Sequence, residues 1–180
     1  MLDSKEFEII EQINTLNYRI SYSDKNLESG FLRGVYINKG TLEINEETNL
    51  NDILHEIGHL NLLPSCLRYS VYGDLEERVM EFINTWTNNS LSLIEVIDQD
   101  WYKQLDNGSD QAVIAYVYAR LFNLEYPVEY CLEEEDSDML GSLKLSHKTR
   151  FPYVGCVHLY YAGFLNERDS FPDLNKLYQN

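Results

Sequence analysis

The stretch NDILHEIGHLNLL, residues 51–63, is the most informative part of this chain. Its apolar residues recur at helical spacing, which predicts an amphipathic helix. His55 and His59 stand four residues apart within it, in the pattern H-E-x-x-H. On a helix, positions i and i+4 lie one turn apart on the same face. The two imidazoles are therefore predicted to bind one metal ion.

Glu56 adds the group that a zinc hydrolase requires beside its two imidazole ligands, a carboxylate that takes the proton of an activated water. The presence of Gly58 also requires an explanation, because glycine inside a helix lowers helix stability by about 1 kcal/mol relative to alanine. A neighbouring element that approaches closely at the metal is one reason, and an ordinary packing contact is the other. The alternative for the whole motif is a chance spacing of two histidines on a surface helix.

Length and charge limit the classes of function. At 180 residues, the chain is predicted to form a single domain, 1–180. It has 14 basic and 30 acidic residues and a formal net charge of -16. Such a surface repels a phosphate backbone, so no direct nucleic-acid binding is expected, whereas a basic protein partner would be attracted.

The three cysteines form no C-x-x-C pair and are too scattered for a disulfide framework, so they are predicted to be reduced thiols. Residues 1–22 lack the apolar core of a signal peptide. The longest apolar run, residues 112–119, is too short to cross a bilayer. These features predict a cytoplasmic protein without membrane contact.

Periodicity along the chain predicts an α+β fold that is mainly helical, with a small antiparallel sheet beside the motif helix. Asn49 or Asn51 is expected to cap the motif helix. The pattern leaves residues 157–164 undecided between strand and helix. The predicted helices span residues 4–16, 51–63, 74–86 and 109–124, with weaker evidence for 90–105, and the predicted hairpin pairs residues 32–36 with 41–45.

A catalytic zinc ion usually has three protein ligands and a water molecule, so a third ligand must come from another element. The predicted helix 74–86 offers Glu76, Glu77 and Glu81. Glu76 lies at the edge of the apolar stripe that would face the motif helix, and we predict it as the ligand, with Glu77 as the second choice. An ordinary solvated helix face is the alternative for all three carboxylates.

The chain resembles the ImmA/IrrE-type metallopeptidases, compact bacterial and phage zincins with an H-E-x-x-H motif and a glutamate ligand. The resemblance covers about residues 1–128 and leaves 129–180 as an extension of unknown role. Met80 departs from the family pattern, in which a polar residue that could support a ligand histidine is usual. The matching pieces are residues 34–45, 53–60, 75–82 and 119–123.

The resemblance implies a zincin core and a zinc ion held by His55, His59 and Glu76, with Glu56 as general base. It also implies a regulatory peptidase that cleaves, or antagonises, a specific protein such as a repressor of a phage or mobile element. An extended peptide substrate would add to the hairpin edge at residues 41–45.

The oxyanion that forms during peptide hydrolysis needs a hydrogen-bond donor. Tyr69, Tyr72, His147 and His158 are the candidates, and the sequence does not rank them; packing or surface exposure is the alternative for each. The main rival function is a binding module that uses the zincin scaffold without turnover, which the Met80 departure favours. A purely structural metal site would require a fourth protein ligand such as His147.

Overall fold

The computed structural model describes residues 2–23, 34–63, 65–73, 78, 81, 85, 110–132, 137–150 and 153–175. The predicted α+β class, mainly helical with a small sheet, is confirmed. The strands are β1 (Arg19–Tyr22), β2 (Val35–Asn38) and β3 (Thr41–Ile44). The helices are α1 (Ser4–Ile13), α2 (Leu50–Leu62), α3 (Ser65–Arg68), α4 (Asp110–Asn123), α5 (Ser137–Thr149) and α6 (Val154–Tyr161), with a 3-10 turn at Val128–Cys131.

The sheet has the strand order β1-β3-β2. Strands β2 and β3 form the predicted antiparallel hairpin. Its two-residue turn has positive φ at both Lys39 (50°) and Gly40 (80°), the conformation that matches the twist of the flanking strands. The expectation of a purely antiparallel sheet is wrong, because β1 pairs with β3 in parallel. Strand β1 forms through this long-range pairing. The sequence of its four residues does not by itself predict a strand.

The predicted peptide-binding edge at residues 41–45 is also wrong. Strand β3 lies in the middle of the sheet, so both of its sides are already paired. The outer side of β2 is used as well: Gly73 N–H donates to the Ile37 carbonyl at 2.8 Å, and Lys39 N–H donates to the Val71 carbonyl at 2.9 Å. A peptide cannot add to a strand whose backbone groups are occupied.

The predicted helices are present wherever their residues are described, although α1 ends at Ile13 rather than at residue 16. Helix α5 was not predicted from the sequence. The motif helix is α2, and the helix predicted at 109–124 is α4. Asn49 is the N-cap of α2 by its backbone conformation, but its side chain makes no capping hydrogen bond. The undecided segment 157–164 lies mainly in helix α6. The predicted helices 74–86 and 90–105 lie, apart from residues 78, 81 and 85, outside the described residues.

Helix α4 is the central helix of the core. All ten residues from 112 to 121 are buried, including Arg120, whose guanidinium donates to the Gln12 carbonyl at 3.0 Å. Helix α2 packs directly against α4. A β-carbon on Gly58 would lie 2.7 Å from Val113 Cγ1, well inside van der Waals contact. Gly58 is therefore the point at which α2 leaves room for the valine side chains of α4.

Groups from outside the helix donate hydrogen bonds to the carboxyl end of α2. The Tyr18 hydroxyl donates to the Leu60 carbonyl at 3.1 Å. The Arg68 guanidinium donates to the Leu63 carbonyl at 2.7 Å and to the Asn61 carbonyl at 3.1 Å. These bonds satisfy carbonyls that have no partner within a helix end, and the positive charge favours the negative end of the helix dipole.

We expect Arg68→Ala to lower the free energy of unfolding by about 2 kcal/mol, because hydrogen bonds from a charged donor contribute about 1.5 to 3 kcal/mol. Urea denaturation followed by circular dichroism measures this change. Arg150→Ala is the matched control, since Arg150 is exposed and donates one hydrogen bond to the Asp169 carbonyl. Its effect should stay within about 0.5 kcal/mol. Equal effects of the two variants would contradict the assignment.

Two of the three cysteines are buried free thiols, Cys131 and Cys156. Burial raises the pKa of Cys131 to about 12 and the pKa of Cys156 to about 11. The reactive form of cysteine is the thiolate, so these two side chains serve packing rather than chemistry. The Cys66 side chain lies outside the described part of the chain. No helix within the described ranges has the length and apolar character needed to cross a membrane.

Candidate metal centre

Helix α2 brings the two predicted histidine ligands together. The Nε2 atoms of His55 and His59 are 2.9 Å apart. Their ring centroids are 4.6 Å apart, and the rings stand edge to face. The side chains are 18% and 14% exposed. The i, i+4 spacing thus places two imidazole nitrogens side by side, near the surface but largely covered.

A carboxylate from another helix completes the group. Asp110 is the first residue of α4. Its Oδ1 atom lies 3.5 Å from His55 Nε2 and 3.3 Å from His59 Nε2. Among the described residues, this is the one cluster of three potential metal-ligating side chains. We call these three residues the His-His-Asp cluster.

The separations between these three atoms fit a zinc ion. Their triangle of 2.9, 3.3 and 3.5 Å has a circumscribed radius of about 1.9 Å. Zinc bonds to nitrogen and oxygen are slightly longer, about 2.0 to 2.2 Å. One zinc ion could therefore be held by all three atoms.

Hydrogen-bond chemistry also favours a cation at this point. A neutral imidazole has one N–H group and one lone pair, and a carboxylate has only acceptors. Two facing Nε2 atoms and a carboxylate oxygen therefore bring several lone pairs together, which repel one another unless a proton or a metal ion lies between them. A metal ion satisfies all three donor atoms at once.

The electrostatic environment of Asp110 keeps it ionised. Hydrogen bonding to His55, and next to His59, holds the pKa of the Asp110 carboxyl well below its usual range, against a smaller opposing effect of burial. The amino-terminal position on α4 acts in the same direction, because the helix dipole favours negative charge there. The ionised carboxylate is the form that binds a metal ion.

The other predicted site residues have different outcomes. Glu56 directly follows His55 in α2, and its side chain is partly buried. Glu76 and Glu77, the predicted third ligands, lie outside the described residues. The structure therefore leaves Glu76 as a prediction, and adds Asp110 as a carboxylate beside the histidines.

His147 lies away from the cluster. Its ring contacts Phe122, with centroids 4.4 Å apart, and its Nδ1 atom is 3.4 Å from the Tyr118 hydroxyl. These partners follow Asp110 in α4 by 8 and 12 residues, which corresponds to roughly 12 to 18 Å along a helix. The alternative of His147 as a fourth ligand therefore does not fit this arrangement.

Of the remaining candidates for oxyanion stabilisation, Tyr69 and Tyr72 contact residues outside the cluster. The Tyr69 ring lies beside Tyr18, with centroids 5.9 Å apart. Tyr72 forms a β-bridge with Asn38, and its ring lies beneath the Arg78 guanidinium at 4.7 Å. His158 is partly buried in α6, a helix that packs against α4.

Asp110 is not among the ligands that the sequence predicts. Its helical phase offers a signal, since it lies on nearly the same face of α4 as Val113 and Val117. Those two valines face Gly58 of the motif helix. Only the packing of α4 against α2 shows that this face meets the histidines.

No family model, curated protein or solved structure matches the chain. The chemistry of the His-His-Asp cluster and of the H-E-x-x-H motif is therefore the basis for a candidate function.

Proposed function

We propose that this protein is a zinc-dependent metallopeptidase that cleaves a specific regulatory protein. The observation that supports the proposal is the convergence of both histidines of an H-E-x-x-H motif with the carboxylate of Asp110. Chance spacing of two histidines on a surface helix does not account for a carboxylate from residue 110 beside both Nε2 atoms.

In this proposal, His55, His59 and Asp110 hold the metal ion. When bound, zinc supplies Lewis-acid activation of water and of a peptide carbonyl. Glu56 accepts a proton from the attacking water and delivers it to the leaving amine. Glu56 is the residue after His55 in α2, so its carboxylate is on the same turn of the helix as a proposed metal ligand.

A catalytic role is favoured over a structural one by the number of ligands. Structural zinc sites are closed by four protein ligands, whereas catalytic sites use three and keep one position open. Within the described part of the chain, the cluster offers three donor atoms, and the Asp110 side chain is 65% exposed. Water and a substrate carbonyl could therefore reach a metal ion held by these residues.

The proposed substrate is a protein with a basic segment near the cleaved bond. The net charge of -16 favours such a segment electrostatically. That the substrate is a repressor rests on the family resemblance alone. The rival function, a binding module without turnover, uses the same metal site and differs from the peptidase only in the need for Glu56.

The identity of the third ligand is testable by charge-removing variants. Zinc affinity is measured by competition with a chromophoric chelator in the wild type, Asp110→Asn, Glu76→Gln and Glu77→Gln. Zinc binding to a four-ligand site corresponds to roughly 10 to 16 kcal/mol, or about 3 kcal/mol per ligand. We expect Asp110→Asn to lower the affinity by about tenfold to a hundredfold, since asparagine retains a weaker oxygen donor.

If Asp110 is the third ligand in place of a glutamate, the two glutamate variants should bind zinc like the wild type. Loss of zinc in Glu76→Gln with retention in Asp110→Asn would instead identify the glutamate predicted from the sequence. Loss in both variants would indicate a closed site with four protein ligands and would argue against the peptidase.

A further inference from the structure

We propose that Gly155 of α6 is a positioning residue for the metal site. By allowing close contact between α6 and the first turn of α4, it sets where Asp110 stands relative to the histidines. The inference rests on the proposed function, in which Asp110 is a ligand. It assigns a role to part of the segment 129–180, for which the sequence suggests none.

The contact at Gly155 is with backbone. A β-carbon at this position would lie 2.0 Å from the Gln111 carbonyl oxygen and 2.6 Å from its carbonyl carbon. It would also lie 3.1 Å from the β-carbon of Ala115. Gly155 is inside a regular helix, so space rather than backbone conformation requires glycine. Any larger residue must move one helix relative to the other, because a carbonyl in a helix cannot rotate away.

The opposite side of α4 also packs against a glycine. Gly58 of α2 meets Val113 and Val117, where its β-carbon would lie 2.7 and 3.0 Å from their methyl groups. With 3.6 residues per turn, positions 113 and 117 lie about 200° around the helix from positions 111 and 115. Helix α4 is therefore held between two glycines, one on each side.

This arrangement links Gly155 to Asp110 directly. Gln111, whose carbonyl contacts Gly155, is the neighbour of Asp110 in the first turn of α4. Because the contact with Gly58 limits movement of α4 toward α2, a side chain at 155 must shift or tilt this turn. The Asp110 Oδ1 atom is 3.3 and 3.5 Å from the two imidazoles, and a displacement of about 1 Å takes it outside bonding distance of a shared ion.

The test compares Gly155→Ala with Gly141→Ala, a matched control. Gly141 lies inside α5 with nothing within 4 Å of an added β-carbon. Zinc affinity is measured by chelator competition, and the absorption spectrum of the cobalt-substituted protein reports the ligand geometry. We expect Gly155→Ala to lower zinc affinity by about tenfold to a hundredfold, the effect typical of lost support for a metal ligand. It should also change the cobalt spectrum, whereas Gly141→Ala should change neither.

A double-mutant cycle separates positioning of Asp110 from general destabilisation. If Gly155→Ala acts through Asp110, it should lower the affinity of the Asp110→Asn variant by less than twofold. An equal loss of affinity in both backgrounds would overturn the inference. Wild-type affinity in a folded Gly155→Ala protein would overturn it as well.

If Gly155→Ala does not fold, the contact on the other side of α4 provides the test. Gly58→Ala meets the ends of valine side chains rather than backbone, so the fold can adapt. We expect it to lower zinc affinity, and Val113→Ala in the same chain to restore most of the loss by making room. Failure of this rescue, with both proteins folded, would overturn the proposed holding of α4. A wild-type protein that binds no zinc would instead overturn the proposed function, which separates the two failures.

Discussion

Zinc binding is expected to fall by a hundredfold to a thousandfold when His55 is replaced by alanine. The imidazole of His55 provides one of three donor atoms in the cluster, and its Nε2 lies 2.9 Å from His59 Nε2. One ligand's share of the free energy of zinc binding is about 3 to 4 kcal/mol, which corresponds to two to three orders of magnitude. Alanine leaves no donor atom, so this loss should exceed the loss in Asp110→Asn.

Elemental analysis of the purified proteins, followed by chelator competition, measures this effect. We expect about one zinc per chain in the wild type and none in His55→Ala after dialysis. His147→Ala is the control for the loss of a histidine, because its ring contacts Phe122 and Tyr118 rather than the cluster. Equal zinc contents in all three proteins would show that the metal, if any, is bound elsewhere.

Glu56→Gln is expected to retain zinc and to lose peptide-bond cleavage by about a hundredfold to ten-thousandfold. Glutamine is nearly the same size as glutamate but cannot accept the proton of the attacking water. General acid–base catalysis contributes this range of rate. Because Glu56 is not among the three donor atoms of the cluster, its loss should leave the metal in place.

Activity can be followed without a known substrate. New protein amino termini are labelled and identified in cells that produce the wild type or Glu56→Gln at equal levels. Termini that appear only with the wild type identify substrates and cleavage sites. A biological effect that is the same in both proteins, with no new termini, would support the binding module and contradict the peptidase.

Local features of the fold were predictable because they depend on neighbours in the chain. Helix α2 and helix α4 lie within one or two residues of their predicted bounds, since apolar spacing marks both. The turn at Lys39 and Gly40 was also predictable from its residues. Strand β1 was not, because its four residues become a strand only by pairing with β3, some twenty residues away.

The same distinction explains the errors about the site. Residues 41–45 looked like a free edge because the hairpin was the only strand pair that the sequence signalled. Asp110 stands near the start of a predicted helix, where aspartate usually acts as a cap. In both cases the missing information was which distant element packs against the segment.

By itself, the amino-acid sequence determined that two imidazoles lie side by side, because helix geometry relates positions 55 and 59 whatever surrounds them. Tertiary structure alone decided that Asp110 joins them. That meeting depends on how closely α4 approaches α2, and the approach is possible because Gly58 has no side chain at the point of contact. Such a distance results from packing between elements nearly fifty residues apart, and no local periodicity specifies it.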